Sequence, residues 1–411
     1  MAESALNPGT KRIAVVTGAN KGIGFEICRQ LASNGVKVVL TARDVTRGNE
    51  AAEKLRGDGY SDVIFHQLDV ADPASISSLA DFIKTQFGKL DILVMQLRYP
   101  RTSNVLPSPP RLRPLHHEAT PSTTTLPLST TTPPFSPHTK HKCLSLTLKS
   151  PSLQATAFSF TPSPLPPRRH RSLHAASIAA SNVSLLQTPT ETPASPPQTV
   201  VKVNNAGING AIVNEEELWK LSVDQFLGEN AKPQKELIKQ TYETSENCLG
   251  TNYYGLKKMS KAFIPLLLLS SSPRIVNVSS SLGQLKNISN ENARKELGDV
   301  DSLTEEKVDK VAEGFLEDVK ENLIETNSWP VNFSAYFVSK ALLNAYTRVL
   351  ARMYPKIAIN AVHPGYVSTD ITHNTGNLTV AEGAKGPVML ALMPEGGPSG
   401  LFFDQTIVST F

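Results

Sequence analysis

Tyr336 and Lys340 stand four residues apart in SAYFVSKALLNAYTRVLAR, a spacing that places both side chains on one face of a helix. A free phenol titrates near about 10, too high for easy proton exchange at neutral pH. An ammonium on the same face stabilises the phenolate and is expected to lower that value. Tyr336 could then act as a general acid toward a carbonyl. Ser280, where the apolar run RIVNV ends in serines, offers a hydroxyl to hold the carbonyl oxygen. Tyr-x-x-x-Lys is frequent on helices by chance, so the pair needs a framework that brings it to a reactive carbon.

The framework begins at residues 13–24, IAVVTGANKGIG. A short apolar run reads as a buried parallel strand. Gly18, Gly22 and Gly24 follow, with Asn20, Lys21 and Ile23 among them, and then the amphipathic stretch GFEICRQLASNG. Strand, glycine turn and helix make a phosphate-binding arrangement, because the backbone can approach a pyrophosphate and the helix N-terminus favours its charge. A second strand, VKVVLTARD, starts directly after the helix. An NAD enzyme usually carries a carboxylate at its end to hold the ribose 2′-hydroxyl. Ala42 and Arg43 stand there instead, and Lys21 lies in the turn. Two cations without a carboxylate suit a 2′-phosphate, which a guanidinium grips with two hydrogen bonds. A third strand, DVIFHQLDV, places Asp69 and Val70 where an adenine could be contacted, and the helix SISSLADFIKTQFG leads to a fourth strand at DILV.

That fourth strand runs into a foreign segment. Residues 95–202 contain 19 of the chain's 30 prolines, many Ser and Thr, and no Gly, Asp or Trp. Proline removes donors and fixes φ, so neither helix nor central strand can run through them. The segment reads as a disordered insertion with one short helix near 175–186. His138, His141 and Cys143 lack a second ligand pair for zinc, and RRHR at 168–171 reads as solvated charge. PxxP-like repeats arise by chance in such a tract. Without the segment the flanks join as KLDILV–NNAGING, one buried strand and a polar turn.

The segment also distorts the charge. It holds 11 Lys/Arg against 2 Asp/Glu, so the net +4 of the 411 residues belongs to it and the remainder is mildly acidic. Overall charge is therefore no argument for nucleic acid. The N-terminus has no apolar core, the longest apolar run (263–269) cannot span a bilayer, and three scattered cysteines make no disulfide framework. A cytoplasmic protein with no membrane, metal or nucleic-acid partner is expected.

TGANKGIG, NNAG, Asn252, S-S-x-x-G ending at Gly283, Y-x-x-x-K and HPGYVSTD occur in that order. The chain so resembles the short-chain dehydrogenase/reductase family over residues 10–94 and 203–411. The resemblance implies an α/β, doubly wound parallel sheet of Rossmann type: one domain from 1–94 and 203–411, interrupted by 95–202. It implies that Gly18, Gly22 and Gly24 hold a pyrophosphate and that Asn205 borders the adenine pocket. Asn252 would support a proton-relay water, and Ser280, Tyr336 and Lys340 would be catalytic, Lys340 also binding the nicotinamide ribose. Pro364, Gly365, Val367 and Thr369 would lie beside the nicotinamide. Ser280 and Tyr336 are 56 positions apart, and the residues between them include an amphipathic stretch, TEEKVDKVAEGFLEDVKENLI. This insertion, with Trp329, is similar to the plant branch of salutaridine and menthone/neomenthol reductases and to animal carbonyl reductases. That branch implies a monomer using NADP(H) to reduce a small-molecule ketone or aldehyde, often a terpenoid or alkaloid. The alternative is a catalytically inactive product of a disrupted strand, at most a scaffold acting through its proline-rich loop.

Overall fold

The computed structural model describes residues 11–96 and 210–411, apart from 219, 223, 224, 226 and 228–230. Asn205, the zinc-like HTKHKC, the basic tetrad, the proline-rich repeats and the helix expected near 175–186 lie outside the described residues.

Short apolar runs bounded by glycine or polar turns form the strands, as expected for a sheet buried on both faces. In chain order they are β1 (Ile13–Val16), β2 (Lys37–Ala42), β3 (Val63–Gln67), β4 (Ile92–Met95), β5 (Arg274–Val278), β6 (Ala358–His363), β7 (Phe402–Asp404) and β8 (Ile407–Ser409). They lie in the order β8-β7-β6-β5-β4-β1-β2-β3. All neighbours are parallel except β8, which runs antiparallel to β7. The chain winds outward from β1 to β3, then crosses to β4 on the other side of β1. A crevice opens at that reversal, at the carboxyl ends of the strands.

The helices are α1 (Gly22–Ser33), α2 (Val45–Gly57), α3 (Pro73–Phe87), α4 (Tyr242–Leu249), α5 (Leu256–Leu267), α6 (Glu291–Gly298), α7 (Glu305–Lys320), α8 (Ser334–Met353) and α9 (Val380–Leu392). A π-helical turn, Gly250–Gly255, joins α4 to α5. Alternate strand residues face two cores. Ala14, Val16, Val38 and Leu40 pack with Ile27 and Leu31 of α1, Leu55 of α2 and Ala384 of α9. Val15, Val39 and Leu93 pack with Leu79 of α3, Phe263 of α5 and Leu342 of α8.

The residues of β4 pair Ala14–Val16 of β1 on one side and Arg274–Asn277 of β5 on the other, ending with Met95 opposite Asn277. The carbonyl of buried Gln96 then accepts a bond from Thr17 Oγ1 at 3.0 Å. The sequence places the end of this strand at VNNAG, past the insertion. In the described residues the strand is paired by β1 up to Val94 and by β5 up to Met95, and VNNAG lies outside them.

Candidate active site

The glycine turn is built for an anion. Gly18 and Gly22 have φ of 60° and 56°, a conformation that side chains resist. Gly24 is fixed by contact instead, since a Cβ there would stand 2.6 Å from Gly18 O. Helices α2, α3, α7 and α9 are capped by the side chains of Asp44, Asp72, Thr304 and Thr379. Helix α1 has Lys21 at that position and no side-chain cap, so its first N–H groups are left for a ligand. These features fit a dinucleotide's pyrophosphate.

Arg43 follows β2 as expected, half-buried, its carbonyl accepting a bond from Gln67 Nε2 at 2.9 Å. A cleft of about 530 Å³ opens beside the turn, lined by Asn20, Lys21 and Phe25 from one side and Arg47, Glu50 and Lys54 of α2 from the other. Arg47 was not singled out by sequence reasoning; its signal is a second arginine one helical turn beyond Arg43. Asp69 turns its carboxylate to the N–H of Ala71 at 2.9 Å, and Val70 is buried against Gly255 of the π turn. Ile23 is buried on α1.

Ser280, Tyr336 and Lys340 meet at the end of β5. The Ser280 hydroxyl lies near the Tyr336 phenol and favours its ionised form. It also accepts from the Leu282 N–H at 3.2 Å, which fixes the short 3-10 turn Ser281–Gly283. Lys340 is 6 % exposed, donates to Val278 O at 3.1 Å, and holds its ammonium 5.7 Å from the centre of the Tyr336 ring. Asn344, four residues further along α8, accepts from Ser279 Oγ at 2.6 Å and donates to Gly283 O at 3.1 Å. It clamps the serine turn to the tyrosine helix. Sequence reasoning missed it, although it repeats the four-residue step of Tyr336 and Lys340.

The protonation states differ from the expected ones. Burial raises the Tyr336 phenol to about 12; only the Ser280 hydroxyl opposes this, and buried Cys248 adds to the rise. Burial lowers the Lys340 ammonium to about 8. The sequence expectation was a phenol lowered by its ammonium. Desolvation decides the Tyr336 value here, and it weakens the lysine's charge at the same time. In this state Tyr336 holds its proton firmly, as a donor must before it transfers one.

Asn252 lies in the π turn, 1 % exposed, with Nδ2 donating to Ser339 Oγ at 3.0 Å. A π turn inside a helix frequently marks a functional site. On the far side of the crevice Pro364, Val367 and Thr369 are buried, and Gly365 has φ of 88°. Thr369 N–H donates to Thr372 Oγ1 at 3.1 Å. The next residue, Asp370, is ion-paired to Lys21, so this segment and the glycine turn face each other across the strand ends. Ser280, Tyr336 and Lys340 thus stand together at one strand end, and Asn20, Lys21 and Gly22 line one cleft, while Ile23 is buried within α1.

A parallel sheet with this strand order, a glycine turn at its switch point and a Ser-Tyr-Lys cluster beside it define a nucleotide-dependent oxidoreductase fold. The chain belongs to the short-chain dehydrogenase/reductase family. The family model for short chain dehydrogenase matches residues 12–96. The chain is 41% identical over 422 residues to salutaridine reductase of Papaver somniferum, covering 100% of both chains. It is 41% identical over 406 residues to (+)-neomenthol dehydrogenase of Arabidopsis thaliana, covering 98% of this chain and 99% of that one. It is 28% identical over 413 residues to carbonyl reductase [NADPH] 3 of Mus musculus, covering 97% and 98%. The solved structure of salutaridine reductase from Papaver somniferum matches with a TM-score of 0.64 at 40% identity, covering 96% of this chain and 99% of that one. Among the described residues, no helix is long and apolar enough to cross a membrane.

Proposed function

We propose that the protein is an NADP(H)-dependent carbonyl reductase that interconverts a ketone and a secondary alcohol on a terpenoid- or alkaloid-like small molecule. The observation that carries the reading is the junction of buried Ser280 and Lys340 with half-buried Tyr336 at the strand end beside an uncapped, glycine-opened helix. NADPH, when bound, supplies the hydride. The protein's part is to hold and protonate the substrate.

Ser280 and Tyr336 offer two hydroxyl donors to one carbonyl oxygen, which orients the carbonyl and favours charge developing on its oxygen. Tyr336 gives that oxygen its proton. Lys340 spends one of three donors on Val278 O, leaving two for a ribose diol and its charge for the phenolate that forms. Asn252 supports the water that returns a proton to Tyr336. Lys21, Arg43 and Arg47 gather where a 2′-phosphate would lie, and Asp69 and Val70 flank the adenine. The names of the plant reductases and of carbonyl reductase [NADPH] 3 support both the cofactor and the substrate class.

We further propose one reductase domain formed by 1–94 and 203–411 around the insertion 95–202. The pairing of Ile92–Val94 on both sides favours an active enzyme over an inactive product. Helix α7 covers α4 and α8, which supports a monomer. Two buried free thiols, Cys28 and Cys248, are in keeping with the cytosol. The test is NADPH consumption by the full chain over a panel of cyclic ketones. Turnover with NADPH, lost by at least about a thousandfold in Tyr336→Phe while NADPH still binds, is expected. Full turnover by Tyr336→Phe refutes the assignment.

A further inference from the structure

Ser339 stands one residue before Lys340 and is completely buried. Its hydroxyl donates to Tyr336 O at 2.9 Å and accepts from Asn252 Nδ2 at 3.0 Å and from the Cys248 thiol at 3.7 Å. Asn252 Nδ2 also reaches Cys248 Sγ at 3.4 Å. A serine hydroxyl has one donor and two acceptor positions, and all three are used here. The three side chains come from three elements. Cys248 and Asn252 lie four residues apart across the junction of α4 and the π turn, while Ser339 lies on α8 between the tyrosine and the lysine. The π turn is held from its other side as well, where Tyr253 OH donates to Asp309 Oδ1 of α7 at 2.7 Å.

We infer that Ser339 is a positioning residue for carbonyl reduction: it fixes Asn252, and with it the π turn, against the helical turn that carries Tyr336 and Lys340. This rests on the proposed carbonyl-reductase reading. A π turn has a hydrogen-bond register that an ordinary helix does not share, so it persists where surrounding contacts over-determine it. Ser339 meets that need because its hydroxyl can bond its own helix backbone and still accept two donors. Alanine would remove the oxygen acceptor that the buried Asn252 Nδ2 meets on α8. Cys248 completes the ring as a packing thiol. Burial raises it to about 12, so it stays protonated and can donate.

Three measurements on the full chain test this. In hydrogen exchange, Ser339→Ala should raise exchange within residues 248–255, whereas Ser260→Ala, a buried serine bonded only to Leu256 O, should leave that segment unchanged. In turnover, Ser339→Ala should lower kcat about tenfold with the NADPH Kd unchanged and with a larger solvent isotope effect. In the Asn252→Ala background the same substitution should cost less than about twofold, because a residue acting through another adds nothing once that other is gone. Unchanged exchange in Ser339→Ala overturns the inference. So does an additive loss in the double variant, or a fall in NADPH affinity matching the fall in kcat. If Ser339→Ala does not fold, Ser339→Thr keeps the hydroxyl and should retain the parent exchange pattern; raised exchange there overturns the inference. A parent chain that reduces no ketone refutes the proposed function, and exchange alone then judges the contact.

Discussion

Gly283 lies so close to Lys340 that a Cβ on the glycine would stand 2.6 Å from the lysine's own Cβ and 2.9 Å from its carbonyl oxygen. The serine turn and the tyrosine helix therefore touch backbone to backbone. Asn344 ties the same two elements with its pair of hydrogen bonds. Ser280 reaches Tyr336 because nothing larger than hydrogen separates the turn from the helix. Gly283→Ala should push them apart. The expected cost is about 1–3 kcal/mol of stability from overpacking, with a fall in kcat larger than any change in NADPH affinity. Thermal melts and steady-state kinetics on the one variant check both.

Lys340 is a charge held at a cost. Its value is lowered from 10.5 to about 8, so below about pH 8 the folded protein carries a desolvated ammonium, and the cost is relieved as pH rises toward 10.5. Lys340→Met should abolish turnover yet stabilise the ligand-free protein at pH 7. The gain, offset in part by the lost bond to Val278 O, should be on the order of 1 kcal/mol and should vanish by about pH 10.5. Denaturant unfolding at the two pH values measures it.

The same lysine sets an alkaline limit on catalysis. Tyr336 keeps its proton to about 12, so the group lost first on raising the pH is the Lys340 charge near 8. With free enzyme, kcat/KM for NADPH should fall above about pH 8. A profile flat to pH 10 would contradict this.

Cofactor choice should follow the cations near the glycine turn. Arg43→Asp places a carboxylate at the end of β2, where a ribose 2′-hydroxyl would want one and a 2′-phosphate would be repelled. The KM for NADPH should rise roughly 10- to 100-fold while that for NADH falls. Arg47→Ala should weaken NADPH by less and leave NADH unchanged. Parallel titrations with the two cofactors decide it.

Helix α7 is docked by polar contacts. Asp309 takes the Tyr253 hydroxyl and pairs with Lys257, while Glu305 pairs with Lys257 and Lys261. Asp309→Ala leaves a buried phenol without its acceptor, for an expected loss of about 1–3 kcal/mol. Burial pushes the Glu305 carboxyl up, but its two lysines outweigh that and hold it below the usual value. Its stabilising contribution is present above about 4.5 and is lost as pH falls through the lowered folded value. Acid unfolding of the parent chain and of Glu305→Gln should therefore converge at low pH.

What the sequence by itself determined is local. Gly18, Gly22 and Gly24 announce a turn because backbone freedom and close approach are properties of the residue in place. Tyr336 and Lys340 announce a shared face because four residues make about one helical turn. The order of strands and helices follows from short apolar runs and amphipathic stretches. What only the tertiary structure decided depends on partners distant in the chain. β4 is held between β1, which pairs it up to Val94, and β5, which pairs it up to Met95. Ser339 meets Asn252 across 87 positions, and Gly283 meets Lys340 across an inserted helix. The Tyr336 phenol rises where its neighbouring ammonium suggested a fall. Desolvation sums over everything packed around a group, and no spacing along the chain records that sum.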